Sequence, residues 1–228
     1  MREGLEVIKT SIKGRKPINQ DSVRVYSDGA VSVLCIADGL GSAIKSSIGS
    51  RLVCRAVVDC VRKSLESQFP LSTKAIVQRW HFLVSKTGMS PRDCMTTCSF
   101  VIVNQHSKKV TIGRIGDSAI YVEIDGVVMS GKEQKDFLNE TEALGDGNSI
   151  PFSTESWSYC DSVRVLLATD GICDELDDSS ISSLMEYLAT RYNCVSLKSR
   201  NHKFSHEIRS AFGNKNYDDK SIVFAWMN

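Results

Sequence analysis

The spacing of apolar residues changes several times along the chain, and each change predicts a different kind of element. At the start, apolar residues form short runs bounded by turn residues, which predicts strands at 5–12, 22–26 and 31–37. Apolar residues then recur at three- and four-residue steps. This spacing predicts a long helix over 46–66 and a second helix over 73–84.

The second half of the chain returns to strand patterns and then to helical ones. The predicted elements are, in order, a hairpin of 97–104 with 109–115, a hairpin of 119–124 with 127–129, a strand at 163–168, helices at 179–191 and 202–212, and a strand at 221–226. Because strands and helices form separate blocks, this order predicts an α+β fold of antiparallel sheets covered by helices. No linker or repeat divides the chain, so we expect a single domain over 1–228.

Composition and charge narrow the class of protein. Hydrophobic residues make up 42% of the chain, and 28 basic and 27 acidic residues leave a net charge of +1. This balance gives no attraction to nucleic acid or to an anionic membrane. No apolar stretch approaches the roughly 18 residues of a membrane span, and the N-terminus lacks a secretion signal. We therefore expect a cytoplasmic protein, taken to be a monomer, with no nucleic-acid or membrane partner.

The eight cysteines mostly lie inside apolar runs, which favours buried free thiols. The segment Cys94-Met-Thr-Thr-Cys98 also has the spacing of half a zinc site. However, no second cysteine or histidine pair follows at the spacing of a zinc finger. Buried thiols are therefore the favoured interpretation.

Four aspartates lie at the ends of predicted strands. Asp21 precedes a strand, Asp38 and Asp170 each end one, and Asp218 precedes the last strand. Strand ends that converge would gather carboxylate oxygens, which are the ligands that Mg²⁺ and Mn²⁺ prefer. Glycine follows two of these aspartates and lets the backbone approach closely, so the carbonyl of Gly39 is a further candidate ligand. Asp-Gly is also a common turn, and a set of ordinary turns is the alternative.

Six short motifs follow one another along the chain. They are Asn19-Gln-Asp21-Ser, Ala37-Asp-Gly-Leu-Gly-Ser42, Met95-Thr-Thr97, Ile115-Gly-Asp-Ser118, Ala168-Thr-Asp-Gly171 and Asp218-Asp-Lys-Ser221. In this order, and with these predicted strands and helices around them, they resemble the motifs of the type 2C, metal-dependent serine/threonine protein phosphatases. The resemblance covers nearly the whole chain. The segment 38–49 is most similar to a compact bacterial branch of that family.

The resemblance implies a four-layer α/β/β/α sandwich of two antiparallel β-sheets flanked by helix pairs, with a centre for two Mg²⁺ or Mn²⁺ ions at one end. Asp38 would bridge both ions, and the Gly39 carbonyl would bind one of them. Asp170 and Asp218 would bind the other ion, and these three aspartates would be the catalytic residues. Asp21 would bind through water or orient a ligand.

The resemblance also implies the reaction. A water molecule bridging the two ions would attack the phosphorus of phosphoserine or phosphothreonine in line, without a covalent intermediate. The chain agrees in lacking the H-C-x₅-R motif of the cysteine-dependent phosphatases. The expected partners are phosphorylated proteins and a serine/threonine kinase system that produces them.

The chain departs from the family pattern where the substrate phosphate would bind. The arginine expected three residues before the first motif is replaced by Lys16, with Arg15 beside it. A lysine binds phosphate as a point charge and lacks the bidentate fork of arginine. We take both residues as candidate phosphate ligands, with solvated surface charge as the alternative.

A second departure concerns the flap and a third, weaker metal site. The flap that family members carry is reduced to 130–150, and the segment 142–145 resembles its usual end. Asp117 matches a ligand of the third metal. The acidic residue that would complete this site is not identifiable, and Glu133 and Asp136 are poor candidates for it.

Two classes of function remain open from the sequence. The first is an active phosphatase, which retention of Asp38, Asp170 and Asp218 favours. The second is a catalytically degenerate phosphatase fold that binds or regulates a kinase or another partner, which the Lys16 substitution and the short flap leave open. Hydrolysis of a small phosphorylated molecule by the same centre is a third alternative.

Overall fold

The computed structural model of the protein describes residues 4–131, 142–147 and 152–227. Apolar runs form strands and amphipathic segments form helices, as their periodicity requires. The elements are β1 Glu6–Ile12, β2 Ser22–Ser27, β3 Val31–Ala37, α1 Ser46–Ser67, α2 Thr73–Ser85, β4 Cys98–Asn104, β5 Lys109–Ile115, β6 Ala119–Ile124, β7 Val127–Ser130, β8 Ser153–Ser158, β9 Val163–Ala168, α3 Asp170–Cys173, α4 Ile181–Asn193, α5 Leu197–Phe212 and β10 Lys220–Met227.

The strands form two five-stranded sheets in which every pair is antiparallel. One sheet has the order β1-β10-β9-β6-β7, and the other has the order β2-β3-β4-β5-β8. Three buried apolar clusters lie between the layers: one between α1, α2 and the second sheet, one between the two sheets, and one between the first sheet and α4, α5. This arrangement confirms the predicted α+β, four-layer α/β/β/α sandwich. Among the described residues, none of the helices is long and apolar enough to cross a membrane.

Strand β3 shows why its sequence is a continuous apolar run. All seven residues from Val31 to Ala37 are buried. Val33 and Cys35 face α1 and α2, whereas Leu34 and Ile36 face the other sheet. A strand covered on both faces has no solvent-facing side, so its apolar residues do not alternate with polar ones. The backbone of β3 is therefore a fixed support for the residue that follows it, Asp38.

The strand registers bring the ends of four strands to one end of the sandwich. Ser22 at the start of β2 lies opposite Ala37 at the end of β3. Ala168 at the end of β9 lies opposite Ile222, close to the start of β10. The chain positions next to these strand ends are therefore neighbours in space, and they are the positions of the predicted aspartates.

Strand β8 and the start of helix α5 differ from the prediction for physical reasons, and the short helix α3 at Asp170–Cys173 was not predicted either. Strand β8 was not predicted, because its sequence Ser-Thr-Glu-Ser-Trp-Ser is almost entirely polar and it lies at the edge of a sheet, beside β5. Helix α5 was predicted from residue 202 but begins at Leu197. Its first turns look too polar for a core helix because they contain Arg200, which is buried in an ion pair with Glu6.

The cysteines follow the prediction of buried free thiols. Cys160 and Cys194 are exposed, and the other cysteines are buried or half-buried. The pair that resembles half a zinc site, Cys94 and Cys98, belongs to the apolar cluster under α1 and α2. Burial removes the solvation that a thiolate needs, and it raises the pKa of both thiols.

Candidate active site

Asp38 is held by the two threonines of the predicted third motif. Its backbone N–H donates to Oγ1 of Thr97 at 3.0 Å, and its carbonyl accepts the N–H of Thr97 at 2.8 Å. The same carbonyl accepts the hydroxyl of Thr96 at 2.9 Å. The backbone N–H and carbonyl of Asp38 are therefore both held by Thr96 and Thr97, directly before β4. The carboxylate of Asp38 is left to face the other acidic residues.

Asp21 joins the two sheets at the same end of the molecule. Its side chain is 7% exposed, and its Oδ2 accepts the hydroxyl of Thr169 at 2.9 Å. Oγ1 of Thr169 in turn accepts the N–H of Ser221 at 3.1 Å. The start of β2, the end of β9 and the start of β10 are thus connected through a single carboxylate.

Asp170 and Asp218 complete the group of four aspartates. Asp170 is the first residue of α3, and its Oδ1 accepts the N–H of Gly171 at 2.6 Å. Gly171 is required here because a Cβ at this position would lie 2.0 Å from the carbonyl oxygen of Asp219. The close approach of the two backbones brings Asp218 next to Asp170. As a result, the charge of Asp218 acts on Asp170.

Burial and neighbouring charges disfavour the ionised form of Asp21, Asp38 and Asp170. Burial raises the pKa of Asp21 to about 6. Burial, followed by the charges of Asp21 and Asp170, raises the pKa of Asp38 well above its ordinary value. Burial and the charges of Asp218 and Asp117 raise the pKa of Asp170. Such unfavourable electrostatics are typical of functional sites, where a bound cation or a proton relieves the repulsion.

Lys16 provides positive charge inside this acidic group. Its Nζ lies 3.3 Å from a carboxylate oxygen of Asp218. Burial lowers the pKa of Lys16, but the charges of Asp38 and Asp218 outweigh burial and the net direction is upward. The ammonium group is therefore fully protonated at neutral pH and faces the carboxylates.

Arg15, the second predicted phosphate ligand, points in another direction. Its guanidinium lies 4.2 Å from the centre of the Tyr217 ring, and the backbone N–H of Arg15 donates to the Tyr217 carbonyl at 3.0 Å. Both side chains are exposed. They form a cation–π pair at the rim of the site, directly before Asp218 in the chain.

The remaining predicted ligands lie around the same group. The N–H of Gly39 donates to the Gln20 carbonyl at 3.2 Å, and a Cβ on Gly39 would lie 2.7 Å from Ser46 at the start of α1. Asp117 follows Gly116, which has a φ of 95°, and its charge acts on Asp170. The structure therefore brings together the aspartates predicted at strand ends and Asp117.

The end of the predicted flap returns to the site. Leu144 exchanges two backbone hydrogen bonds with Thr96, of 3.2 and 2.9 Å. The segment 142–145 is thereby placed beside the threonine that holds Asp38. Most of the predicted flap, with the candidate third-metal residues Glu133 and Asp136, lies outside the described residues.

Two buried charged residues near the site were not singled out from the sequence. Asp219 is 2% exposed and accepts backbone N–H groups of Gly14 and Gln20, each at 2.7 Å. The ammonium of Lys220 is bound by the carbonyl of Asp218 at 2.7 Å and by two oxygens of Asn216, at 2.8 and 3.2 Å. The signal was present in the sequence, since an Asp-Lys pair directly before an apolar strand is unusual without such partners.

The donor set fits a hard divalent cation. Oδ1 of Asp21 is buried and meets no hydrogen-bond donor among the residues that the structure describes. It can bond to the adjacent Asp38 only when a proton lies between the two carboxyls. In the described part of the chain, no three acidic, histidine or cysteine side chains lie close enough together to coordinate one metal ion in their present conformations. The neighbouring carboxylates repel one another, and a bound cation would relieve this repulsion. Carboxylate oxygens are the ligands that Mg²⁺ and Mn²⁺ prefer.

Comparison with known proteins decides the family. The sequence model of Protein phosphatase 2C matches residues 10–209. The chain belongs to this family. The match spans the first five motifs and every predicted aspartate except Asp218. A comparison with curated proteins finds no match.

Solved structures of other proteins share the protein phosphatase 2C fold of this chain. A structure of RsbX in complex with magnesium has a TM-score of 0.67 at 16% identity and covers 100% of this chain and 98% of its own. The Mycobacterium tuberculosis serine/threonine phosphatase PstP/Ppp has a TM-score of 0.65 at 18% identity and covers 97% of both chains. Another structure shows the catalytic domain of PstP with two manganese ions. At these identities the similarity shows the fold.

Proposed function

We propose that this chain is a metal-dependent protein phosphatase that hydrolyses phosphoserine and phosphothreonine. The observation that carries the proposal is the group of aspartates at one end of the sandwich, in which burial raises the pKa of Asp21, Asp38 and Asp170 and neighbouring charges add to the shift. A protein maintains such repulsion at a cost in stability, and a bound cation would remove that cost. Membership of the protein phosphatase 2C family supports the same chemistry.

In this proposal Asp38, Asp170 and Asp218 hold two Mn²⁺ or Mg²⁺ ions, with the Gly39 carbonyl as a further ligand. Asp21 orients its neighbour Asp38, on which its charge acts directly. Such ions, when bound, lower the pKa of water and neutralise charge on the phosphoryl oxygens. The fixed backbone of Asp38 keeps its carboxylate in one place, so the ligands need little rearrangement.

Asp117 is the proposed ligand of a third, weaker metal. Its charge acts on Asp170, so it lies near this ligand of the proposed dinuclear centre. It follows β5 and has its own interactions in the structure. We propose no second acidic ligand for this site.

Lys16 and Arg15 are the proposed ligands of the substrate phosphate. Lys16 now offsets the charge of Asp218. When divalent ions take over this task, its ammonium is free to bind a phosphoryl oxygen as a point charge. Arg15, stacked on Tyr217 at the exposed rim, is placed to contact the peptide that flanks the phosphorylated residue.

The proposed partners are phosphorylated proteins made by a serine/threonine kinase. Structural neighbours include PstP, RsbX and a protein from work on the bacterial stressosome. These neighbours favour a regulatory setting. A degenerate, binding-only protein is the competing proposal. Lys16 favours it, because this residue replaces the family arginine and already offsets part of the acidic charge.

The test is hydrolysis of p-nitrophenyl phosphate and of a phosphothreonine peptide with Mn²⁺, with Mg²⁺ and with EDTA. We expect turnover with a metal, and a fall to the EDTA level in Asp38→Ala and Asp170→Ala. Asp161→Ala, which changes an exposed aspartate before β9, is the control and should keep full activity. A folded wild type that is inactive with both metals would refute the proposal in favour of the binding-only protein.

A further inference from the structure

The carboxylate of Asp219 binds the loop that carries Lys16, the proposed phosphate ligand. Its side chain is almost completely buried, although it follows the half-exposed Asp218. Oδ1 accepts the N–H of Gly14 and Oδ2 accepts the N–H of Gln20, both at 2.7 Å. The two oxygens of one carboxylate therefore close the two ends of the loop 14–20, which carries Lys16.

The loop has little freedom between these two anchors. A Cβ on Gly14 would lie 2.2 Å from the carbonyl oxygen of Asp218, so the loop lies directly against the backbone before β10. The N–H of Arg15 donates to the Tyr217 carbonyl at 3.0 Å. These contacts leave Lys16 with its ammonium 3.3 Å from Asp218.

We propose that Asp219 is a positioning residue that holds Lys16 at the place where it binds the phosphate of the substrate. The inference rests on the proposed function, because Lys16 is a phosphate ligand only there. Asp219 is too buried to contact the substrate, with 2% of its surface exposed, and each of its oxygens accepts a backbone N–H group. It acts through the loop.

The chemistry of the side chain explains why an aspartate is used. An ionised carboxylate accepts at both oxygens, and such charge-assisted bonds to N–H groups are short and strong. An asparagine has the same shape but only one accepting oxygen. Its amide NH₂ would face the N–H of Gly14 or Gln20, and that hydrogen bond would be lost. Asp219→Asn therefore releases one end of the loop while the side chain keeps its volume.

Asp125 provides a matched control. Its carboxylate accepts the N–H groups of Cys160, Asp161 and Ser162, each at 2.9 Å. It therefore fastens a loop in the same way, but at the opposite end of β6 and β9 from the aspartate group. Asp125→Asn should weaken a loop of comparable kind and leave phosphate binding unchanged.

The experiment measures KM for a phosphothreonine peptide and the inhibition constant of inorganic phosphate, with Mn²⁺ present. We expect Asp219→Asn to raise both constants by about tenfold or more, which is the effect of losing a charge-assisted hydrogen bond, and to change kcat by less than about threefold. Gly14→Ala, which displaces the same loop from the other side, should act in the same direction. Asp125→Asn should leave both constants within about twofold of the wild type.

A double mutant tests whether Asp219 acts through Lys16. If it does, Asp219→Asn should add no further rise to the inhibition constant in a Lys16→Met background. Hydrogen exchange of the amides of Gly14 and Gln20, measured on the folded variants, should become faster in Asp219→Asn and remain slow in Asp125→Asn. This exchange measurement does not depend on catalysis.

The outcomes separate this inference from the proposed function. A folded wild type that hydrolyses nothing with either metal refutes the proposed function, and the phosphate role of Asp219 with it. An active wild type whose phosphate inhibition is the same in Asp219→Asn refutes the inference alone. The inference is also wrong if Asp125→Asn has an equal effect, or if the effect of Asp219→Asn persists in full without Lys16.

Discussion

Replacing Asp21 by asparagine should stabilise the metal-free protein at neutral pH. In the folded chain burial raises the pKa of Asp21 to about 6, above its ordinary value of 3.8. At about 1.36 kcal/mol for each pH unit, this difference corresponds to roughly 3 kcal/mol of destabilisation by the ionised side chain. Asparagine keeps the shape and can still accept the hydroxyl of Thr169, while its NH₂ can donate to Asp38.

The sign of the pH dependence follows from the direction of the shift. A carboxyl whose pKa is raised by folding binds its proton more tightly in the folded state. Its cost is therefore absent below about pH 4 and fully present above about pH 6. The free energy of unfolding of the metal-free wild type should fall over this range. The Asp21→Asn variant should lose about 2 kcal/mol less than the wild type between pH 4.5 and pH 7.5.

The assay is urea unfolding in EDTA at both pH values, followed by fluorescence of the buried Trp80 and Trp226. Asp161→Asn, at an exposed position, serves as the control and should change the free energy by less than about 0.5 kcal/mol. Added Mn²⁺ should stabilise the wild type more than Asp21→Asn, since the variant has lost the repulsion that a cation relieves. The reasoning fails if metal-free Asp21→Asn is no more stable than the wild type at pH 7.5.

Two further predictions concern stability away from the aspartates. Glu123 is 3% exposed and accepts Nη1 of Arg164 at 2.8 Å, so Arg164→Met should lower the free energy of unfolding by about 3 to 5 kcal/mol in urea unfolding. Adding Glu123→Gln should recover part of this loss, and an Arg164→Met loss below about 1 kcal/mol would contradict the buried pair. Gly49→Ala would place a Cβ 1.8 Å from the carbonyl oxygen of Cys94 and should cost more than about 2 kcal/mol by the same measurement. Gly41, where a Cβ meets nothing within 4 Å, is its control, and equal losses in the two alanine variants would show that this close contact is not decisive.

Elements with a strong apolar period were predicted closely from the sequence. The first helix was expected over 46–66 and observed as Ser46–Ser67, and the buried strand Val31–Ala37 was found at its predicted limits. Both bury a continuous apolar surface, and burial is what periodicity reports. Strand β8 at Ser153–Ser158 has no such surface. It forms because the edge of β5 offers backbone hydrogen bonds, which depend on tertiary position and leave no apolar pattern.

The candidate site shows the same division. The carboxylates at strand ends could be predicted, because strand ends and aspartates are both visible in the sequence. The partners of Asp219 and Lys220 at Gly14, Gln20 and Asn216 could not, since these contacts form only when β1 pairs with β10 and the two sheets pack together. The different orientations of Arg15 and Lys16 depend equally on where Tyr217 and Asp218 lie. Sequence spacing carries no information on these contacts.

The net charge of +1 conceals how unevenly the fold distributes its charges. The aspartates collect at one end of the sandwich, and the neutral backbone anchors of Asp38 and the buried hydroxyl of Thr169 hold them there against their repulsion. The apolar layers must supply the free energy for this, because the carboxylates themselves oppose folding while no cation is bound. It follows that the rigidity of the strand ends and the affinity for a cation are linked. Loosening Asp38 by Thr97→Val would relieve repulsion in the metal-free chain and, for the same reason, weaken cation binding.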